Sequence, residues 1–230
     1  MPSRPVLYVL AGVNGAGKSS IGGHLLNQAG LTWYNPDSFA RALNQEYGVS
    51  QEQANIDAWQ EGVRRLRHAI LTQQSFAFET TLGGQSITQY LLQACETHDV
   101  MIWYCGLRTP QLHLDRIKLR VEHGGHDIPE TKVRQRWVNS LQNLIILMPS
   151  LAHLRIYDNS RSFEKGQPIG EPSLLLEMRA GKRVYPRSIA EASSIPDWAK
   201  PALEVAFELD SANSSLPLGG KVKHTQRQNT

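Results

Sequence analysis

The sequence predicts an α/β fold with a parallel sheet flanked by helices, and three observations carry the prediction. Short apolar, β-branched runs alternate with segments of helical spacing from Val6 to Tyr157. The run Val100–Leu107 is apolar almost throughout, as suits a strand covered on both faces. The first run, Val6–Leu10, leads into Gly12-Val13-Asn14-Gly15-Ala16-Gly17-Lys18-Ser19, and an amphipathic segment, Ser20–Ala29, follows. That is strand, phosphate loop and helix, with the spacing GxxxxGK[ST] met in full.

The elements follow in order. After the first helix, Leu31–Asn35 reads as a second short strand closed by Pro36 and Asp37. Ser38–Tyr47 returns to helical spacing through Phe39, Leu43 and Tyr47. Ser50, with Gln53 three residues on, has the form of a capping box. The helix it opens runs to about Gln73, with Ile56, Trp59, Val63, Leu66 and Ile70 as its expected buried stripe. Phe76–Thr80 is a third strand, Ser86 to about His98 a helix, and Val100–Leu107 a fourth strand. Helices Thr109–Glu122 and Glu130–Met148 stand on either side of Gly124-Gly125-His126-Asp127-Ile128-Pro129. Leu154–Tyr157 reads as the fifth strand of a five-stranded parallel sheet. A hairpin, Leu174–Met178 with Arg183–Tyr185, and a short helix near Trp198–Phe207 come after it. The chain divides into one domain, residues 1–208, with a lid at about 122–136, and a tail, 209–230, whose polar composition predicts disorder.

Composition narrows the function classes. With 24 Lys and Arg against 21 Asp and Glu, the net charge of +3 argues for neither nucleic acid nor membrane as a partner. Cys95 and Cys105 match no metal spacing and read as free thiols in a reducing compartment. No apolar run approaches the ~20 residues of a membrane span. The phosphate loop begins by Gly12, leaving no room for a cleaved signal, so a cytoplasmic soluble enzyme is expected.

The loop motif implies binding of a nucleoside triphosphate, ATP, with Mg²⁺. Gly12, Asn14, Gly15, Ala16, Gly17, Lys18, Ser19 and Ser20 would surround the phosphates, with backbone N–H groups pointing inward. Lys18 would reach the β- and γ-phosphates, and the Ser19 hydroxyl would ligate Mg²⁺. In an open α/β sheet the ligand lies at the carboxyl ends of the strands, so the residues just after each strand are the candidates. Asp37 is either the base that accepts a substrate hydroxyl proton or the cap of the helix beginning at Ser38. Glu79 either holds Mg²⁺ through water or grips a substrate hydroxyl, with Thr80 and Thr81 as hydrogen-bonding neighbours. Arg116 and Arg120, one turn apart on one helix face, and Arg134 and Arg136 are candidates to close over the γ-phosphate. Arg134 and Arg136 are about 200° apart on a helix and cannot both face one small site; residue 136 lies nearer the stripe Val133–Trp137–Leu141.

Several blocks together resemble the zeta-toxin family of P-loop kinases. They are Asn-Gly-Ala-Gly-Lys-Ser-Ser at 14–20, Asn-Pro-Asp at 35–37, Phe-Glu-Thr-Thr-Leu at 78–82 and Arg-Val-Glu-His-Gly-Gly-His-Asp-Ile-Pro at 120–129. Ser-Leu-Gln-Asn-Leu at 140–144 and Tyr-Asp-Asn-Ser at 157–160 complete the set. The resemblance implies a nucleotide-kinase-like sheet with an Arg-bearing lid, and ATP-dependent phosphorylation of a small-molecule hydroxyl. The family's best-known acceptor is the 3′-hydroxyl of a UDP-N-acetylamino sugar, and its members pair with antitoxin proteins. Carried over by position, its loop lysine matches Lys18, its catalytic aspartate Asp37 and its substrate-contacting acid Glu79; lid arginines map to Arg120 and to Arg134 or Arg136. The chain is shorter than the large toxins between strands four and five, where their sugar-nucleotide contacts lie. Two other readings stand beside this one: a P-loop ATPase or switch with water as the acceptor, and a nucleic-acid end kinase. The last expects a basic channel, which positives scattered along the chain do not supply.

Overall fold

Val6–Ala11 forms β1, and its burial on both sides sets the layering of the molecule. The structure is a computed structural model and describes residues 3–19, 22, 26, 30–161 and 171–215. The strands are β1, β2 (Phe76–Thr80), β3 (Asp99–Gly106), β4 (His153–Asp158), β5 (Ser173–Arg179) and β6 (Lys182–Tyr185). They make one sheet in the order β2-β1-β3-β4-β5-β6. The first four are parallel and the hairpin β5–β6 adds antiparallel at the edge. Register sets Leu10 beside Glu79 and Ala11 beside Thr80, so β1 and β2 deliver the phosphate loop and Glu79 to the same end of the sheet.

Two sheet expectations change. The sheet is not five parallel strands, because the predicted strand Leu31–Asn35 shrinks to a single bridge between Tyr34 and Phe78. Tyr34 N donates to Ala77 O at 2.8 Å and Glu79 N to Tyr34 O at 2.9 Å. Pro36, with no N–H to continue a ladder, then opens helix α1 (Pro36–Tyr47). The hairpin, expected as a separate feature, extends the sheet through β4 instead.

The other helices are α2 (Gln51–Thr72), α3 (Gln85–Ala94), α4 (Pro110–Glu122), α5 (Glu130–Leu147), α6 (Ile189–Ala192) and α7 (Lys200–Ser215). Their starts follow the caps in the sequence: Ser50 accepts from Gln53 N at 3.2 Å and Thr109 from Leu112 N at 3.3 Å. Gln53 does not close the capping box; its amide reaches forward to Asp57 at 2.8 Å. The buried face of α2 also differs from the expected stripe. Ala54, Ala58, Leu66 and Ala69 are inside, while Ile56 and Trp59 are 43% and 53% exposed. Small residues explain it: Ala54 and Ala58 pack with Ala40 of α1, and the close approach turns the larger side chains outward. α7 runs past the predicted domain boundary at 208, so the start of the expected tail is helical to Ser215; residues 216–230 lie outside the described residues. So does most of the predicted helix Ser20–Ala29.

The main core joins Leu7, Val9, Val100, Ile102, Leu154 and Ile156 of the sheet to Leu144 and Leu147 of α5 and Ala202 and Ala206 of α7. Each such branched side chain contributes about 1.5–3 kcal/mol by leaving water. Among the described residues, no helix is long and apolar enough to cross a membrane.

Candidate active site

The phosphate loop is built by glycine. Gly12 sits at φ +136°, and a Cβ there would lie 2.1 Å from Cys105 O. Gly15 and Gly17 take φ values of +80° and +89°, the left-handed steps that curl a backbone into an anion-binding nest. Four side chains from distant parts of the chain brace this loop. Cys105 Sγ and Asn159 Nδ2 both donate to Ala16 O, at 3.1 and 2.9 Å. Arg136 Nη1 donates to Asn14 Oδ1 at 2.8 Å. His113 Nδ1 meets Asn14 O at 2.8 Å; a carbonyl can only accept, so Nδ1 carries the proton. Burial pushes the His113 imidazole down to about 4, leaving it neutral. Burial likewise pushes the Cys105 thiol up to about 12, so it braces the loop rather than reacting.

At the head of the loop, Lys18 is buried with Nζ 3.4 Å from both Val13 O and Glu79 Oε1. Ser19 Oγ donates to Glu79 Oε2 at 2.8 Å, and Asn35 Nδ2 donates to the same oxygen at 2.9 Å. A hydroxyl beside a carboxylate is the oxygen donor set that Mg²⁺ accepts, and Mg²⁺ keeps several waters that such a carboxylate can orient. No cluster of three or more His, Cys, Asp or Glu that could hold a metal by itself occurs among the described residues. The residues present fit a Mg²⁺ ion that would arrive with nucleotide phosphates. Ser20 lies outside the described residues.

Asp37 occupies the first turn of α1, and the two roles open to it separate here. The cap is Asn35, whose Oδ1 accepts from Ser38 N at 3.1 Å. Asp37 instead lines a cleft of about 530 Å³ together with Lys18, Asn14, Glu79, Thr80, Thr81 and Arg136. Thr80 and Thr81 Oγ1 accept from Leu82 N and Gly83 N at 3.0 and 3.4 Å, fixing a turn that carries Leu82 at φ +53°. Trp59 stands at the cleft wall on α2 with Asn55 and Val63.

The arginines divide as helix geometry demands. Arg120 Nη1 lies 3.7 Å from Asp37 Oδ2, and its Nη2 donates to His126 O at 3.0 Å. Arg136 is half-buried against the loop; burial lowers its pKa, and the charge of Asp37 opposes that shift. Arg134 turns away to pair with Glu130 at 2.6 Å on the exposed face of α5, and the structure does not bring it to the cleft. Between α4 and α5, the loop lays His126, Asp127 and Ile128 along the cleft, with Ile128 packed on Val13 of the phosphate loop. Burial lowers the pKa of His126.

No family model matches the chain. A protein of Haemophilus influenzae, described as uncharacterized, is 32% identical over 139 residues, which are 60% of this chain and 94% of that protein. The chain belongs to that protein's family. Among solved structures, a chain of AvrRxo1-ORF1:-ORF2 with ATP is similar with a TM-score of 0.60 and 18% identity, over 96% of this chain and 67% of that one. The same complex with sulphate ions gives 0.57 and 19%, over 88% and 64%, so the present chain spans a little under two thirds of it. A chain of the PezAT chromosomal toxin–antitoxin system of Streptococcus pneumoniae gives 0.52 and 13%, over 94% and 89%. The fold is that of the zeta-toxin-like P-loop kinases.

The structure opens Lys18, Asp37 and Glu79 onto one cleft, with Ser19 hydrogen-bonded to Glu79; sequence reasoning gave no bracing role to four side chains that shape it. Asn35, His113, Asn159 and Arg116 hold the site through bonds across the fold; Arg116 Nη2 donates to Asn159 O at 2.6 Å. The position of Asn35 directly before Pro-Asp was a usable signal, since Asn is a preferred cap. Asn159 carried one too, standing just after the fifth predicted strand, and Arg116 shares a helix face with Arg120; His113 carried no local signal.

Proposed function

We propose that the protein is an ATP-dependent small-molecule kinase in which Asp37 receives the proton of an acceptor hydroxyl. The observation that carries this reading is the opening of Lys18, Glu79 and Asp37 onto one cleft, with Asp37 released from capping by Asn35. Lys18 and the loop amides hold the β- and γ-phosphates. Mg²⁺, held by Ser19 with its waters oriented by Glu79, would neutralise charge developing between those phosphates. Asp37 turns the acceptor O–H toward the γ-phosphorus. As the acceptor oxygen bonds to phosphorus, the bond to the ADP oxygen breaks and the hydroxyl proton passes to the Asp37 carboxylate. Arg136, and Arg120 once it leaves Asp37, stabilise the equatorial oxygens. Arg134 has no part in the transfer.

The acceptor proposed is a small hydroxylated molecule, with the 3′-hydroxyl of a UDP-N-acetylamino sugar as the case that the zeta-toxin likeness implies. An antitoxin partner and a cytoplasmic location belong to the same reading, supported by the likeness to a toxin–antitoxin chain. Incubating the pure protein with labelled ATP, Mg²⁺ and a metabolite extract, with UDP-N-acetylglucosamine run alongside, tests it by mass spectrometry. A labelled phosphomonoester is expected. Release of inorganic phosphate with every acceptor tried would make the protein an ATPase.

A further inference from the structure

We infer that Asn35 is a positioning residue that holds the Glu79 carboxylate for the metal while fixing the helix that carries Asp37. The inference rests on the kinase reading above and adds a link between its two halves. The backbone puts the pair together: the Tyr34–Phe78 bridge, with Glu79 N donating to Tyr34 O at 2.9 Å, sets residue 35 beside residue 79. Asn35 Oδ1 accepts from Ser38 N at 3.1 Å, and that bond fixes which way the amide faces. Nδ2 is therefore turned to Glu79 Oε2 at 2.9 Å, with Ser19 Oγ a further 3.4 Å contact.

Glu79 is buried, so its orientation depends on its donors. Oε2 takes Ser19 and Asn35, and Oε1 faces Lys18. When Ser19 turns to a metal and Lys18 to phosphate, Asn35 is the donor of these three that still holds the carboxylate. A group that orients a metal site in this way typically contributes about 10- to 100-fold in metal affinity. Asn35 is thus both the cap of α1 and the bracket of the metal side.

Asn35→Thr separates the two roles: the Thr hydroxyl oxygen still caps, while its O–H stands one bond closer to the backbone than Nδ2 and falls short of Glu79. Asn35→Ser is the second variant should Thr crowd the strand end. ATP binding is followed by calorimetry with and without Mg²⁺, and unfolding temperature is measured on the metal-free protein. Both variants should unfold close to wild type and bind ATP alike without Mg²⁺. The Mg²⁺ concentration that half-maximally tightens ATP should rise about 10- to 100-fold. Wild-type Mg²⁺ dependence in either folded variant would reduce Asn35 to a cap and overturn the inference. Wild-type protein whose ATP binding ignores Mg²⁺ would instead overturn the metal assignment of Ser19 and Glu79, and this inference with it.

Discussion

The two ends of the cleft are built differently. At the phosphate end, Asn14, Lys18 and Glu79 are each 8% exposed, and the loop is braced by side chains from β3, α4, α5 and the end of β4. At the acceptor end, Asp37 and Arg120 keep 40% and 35% of their side-chain exposure and meet at a loose 3.7 Å. In the proposed reading, the tight bracing falls where the triphosphate would be held, and the looser pairing where an acceptor would enter and Arg120 would move.

The largest effect expected from breaking this contrast is at Lys18. Lys18→Ala should bring turnover to background and weaken ATP binding while the fold survives, because Lys18 takes no part in the apolar core. Normal turnover in that variant would remove the loop from the mechanism. Next comes the pair on α5. Arg136→Ala should cost about 10²–10³ in kcat, the range for a lost transition-state donor. Arg134→Ala should leave kcat within about twofold, since a surface pair with Glu130 contributes little. Equal losses from both would contradict the division of the two faces.

The bracing itself has a pH signature. His113 is neutral in the fold with a pKa of about 4, against an ordinary value of 6.5. Below 6.5 the unfolded chain takes up a proton that the folded chain refuses, so stability falls as pH drops toward 4. About 2 kcal/mol should be lost between roughly pH 6.5 and 5 from this group, and His113→Gln should flatten that part of a denaturation–pH series. A slope unchanged by the substitution would mean that His113 is not the group responsible. The smallest effect expected is in the loop joining α4 and α5. Hydrogen exchange over residues 122–136 should slow when a non-hydrolysable ATP analogue and acceptor are both present, as a lid closes about Gly124-Gly125. Unchanged exchange there would leave the arginines as a fixed wall.

The same contrast explains what the sequence disclosed. The phosphate end was legible because its chemistry is written contiguously: Gly12 to Ser19 dictate a turn, a nest and two polar groups with no help from elsewhere. The place of Asp37 on the cleft was legible because Pro36 starts a helix at a strand end, although the cap proved to be the residue before the proline. The bracing was not legible. Arg136 meets Asn14 across 122 residues and Asn159 meets Ala16 across 143, separations that no local pattern encodes. The first half of the α2 face, at Ile56 and Trp59, was misread because periodicity weights large apolar residues, and here close packing through alanines decides; Leu66 and Ile70 pack inward as the stripe expects. The mixed edge of the sheet was missed for a related reason: nothing in β5 itself says that its partner is β4.

The central claim is that Asp37 is the acceptor base, and Asp37→Asn tests it most directly. The substitution keeps shape and hydrogen-bonding reach and removes the charge. Asn35 already caps the helix, so the substitution leaves the cap in place. With the acceptor in hand, kinase turnover should fall by about 10²–10⁴ while ATP affinity, measured by calorimetry, barely moves. Turnover that survives the substitution would contradict the account, and a joint, Mg²⁺-dependent loss of turnover and ATP affinity would move Asp37 into the metal site.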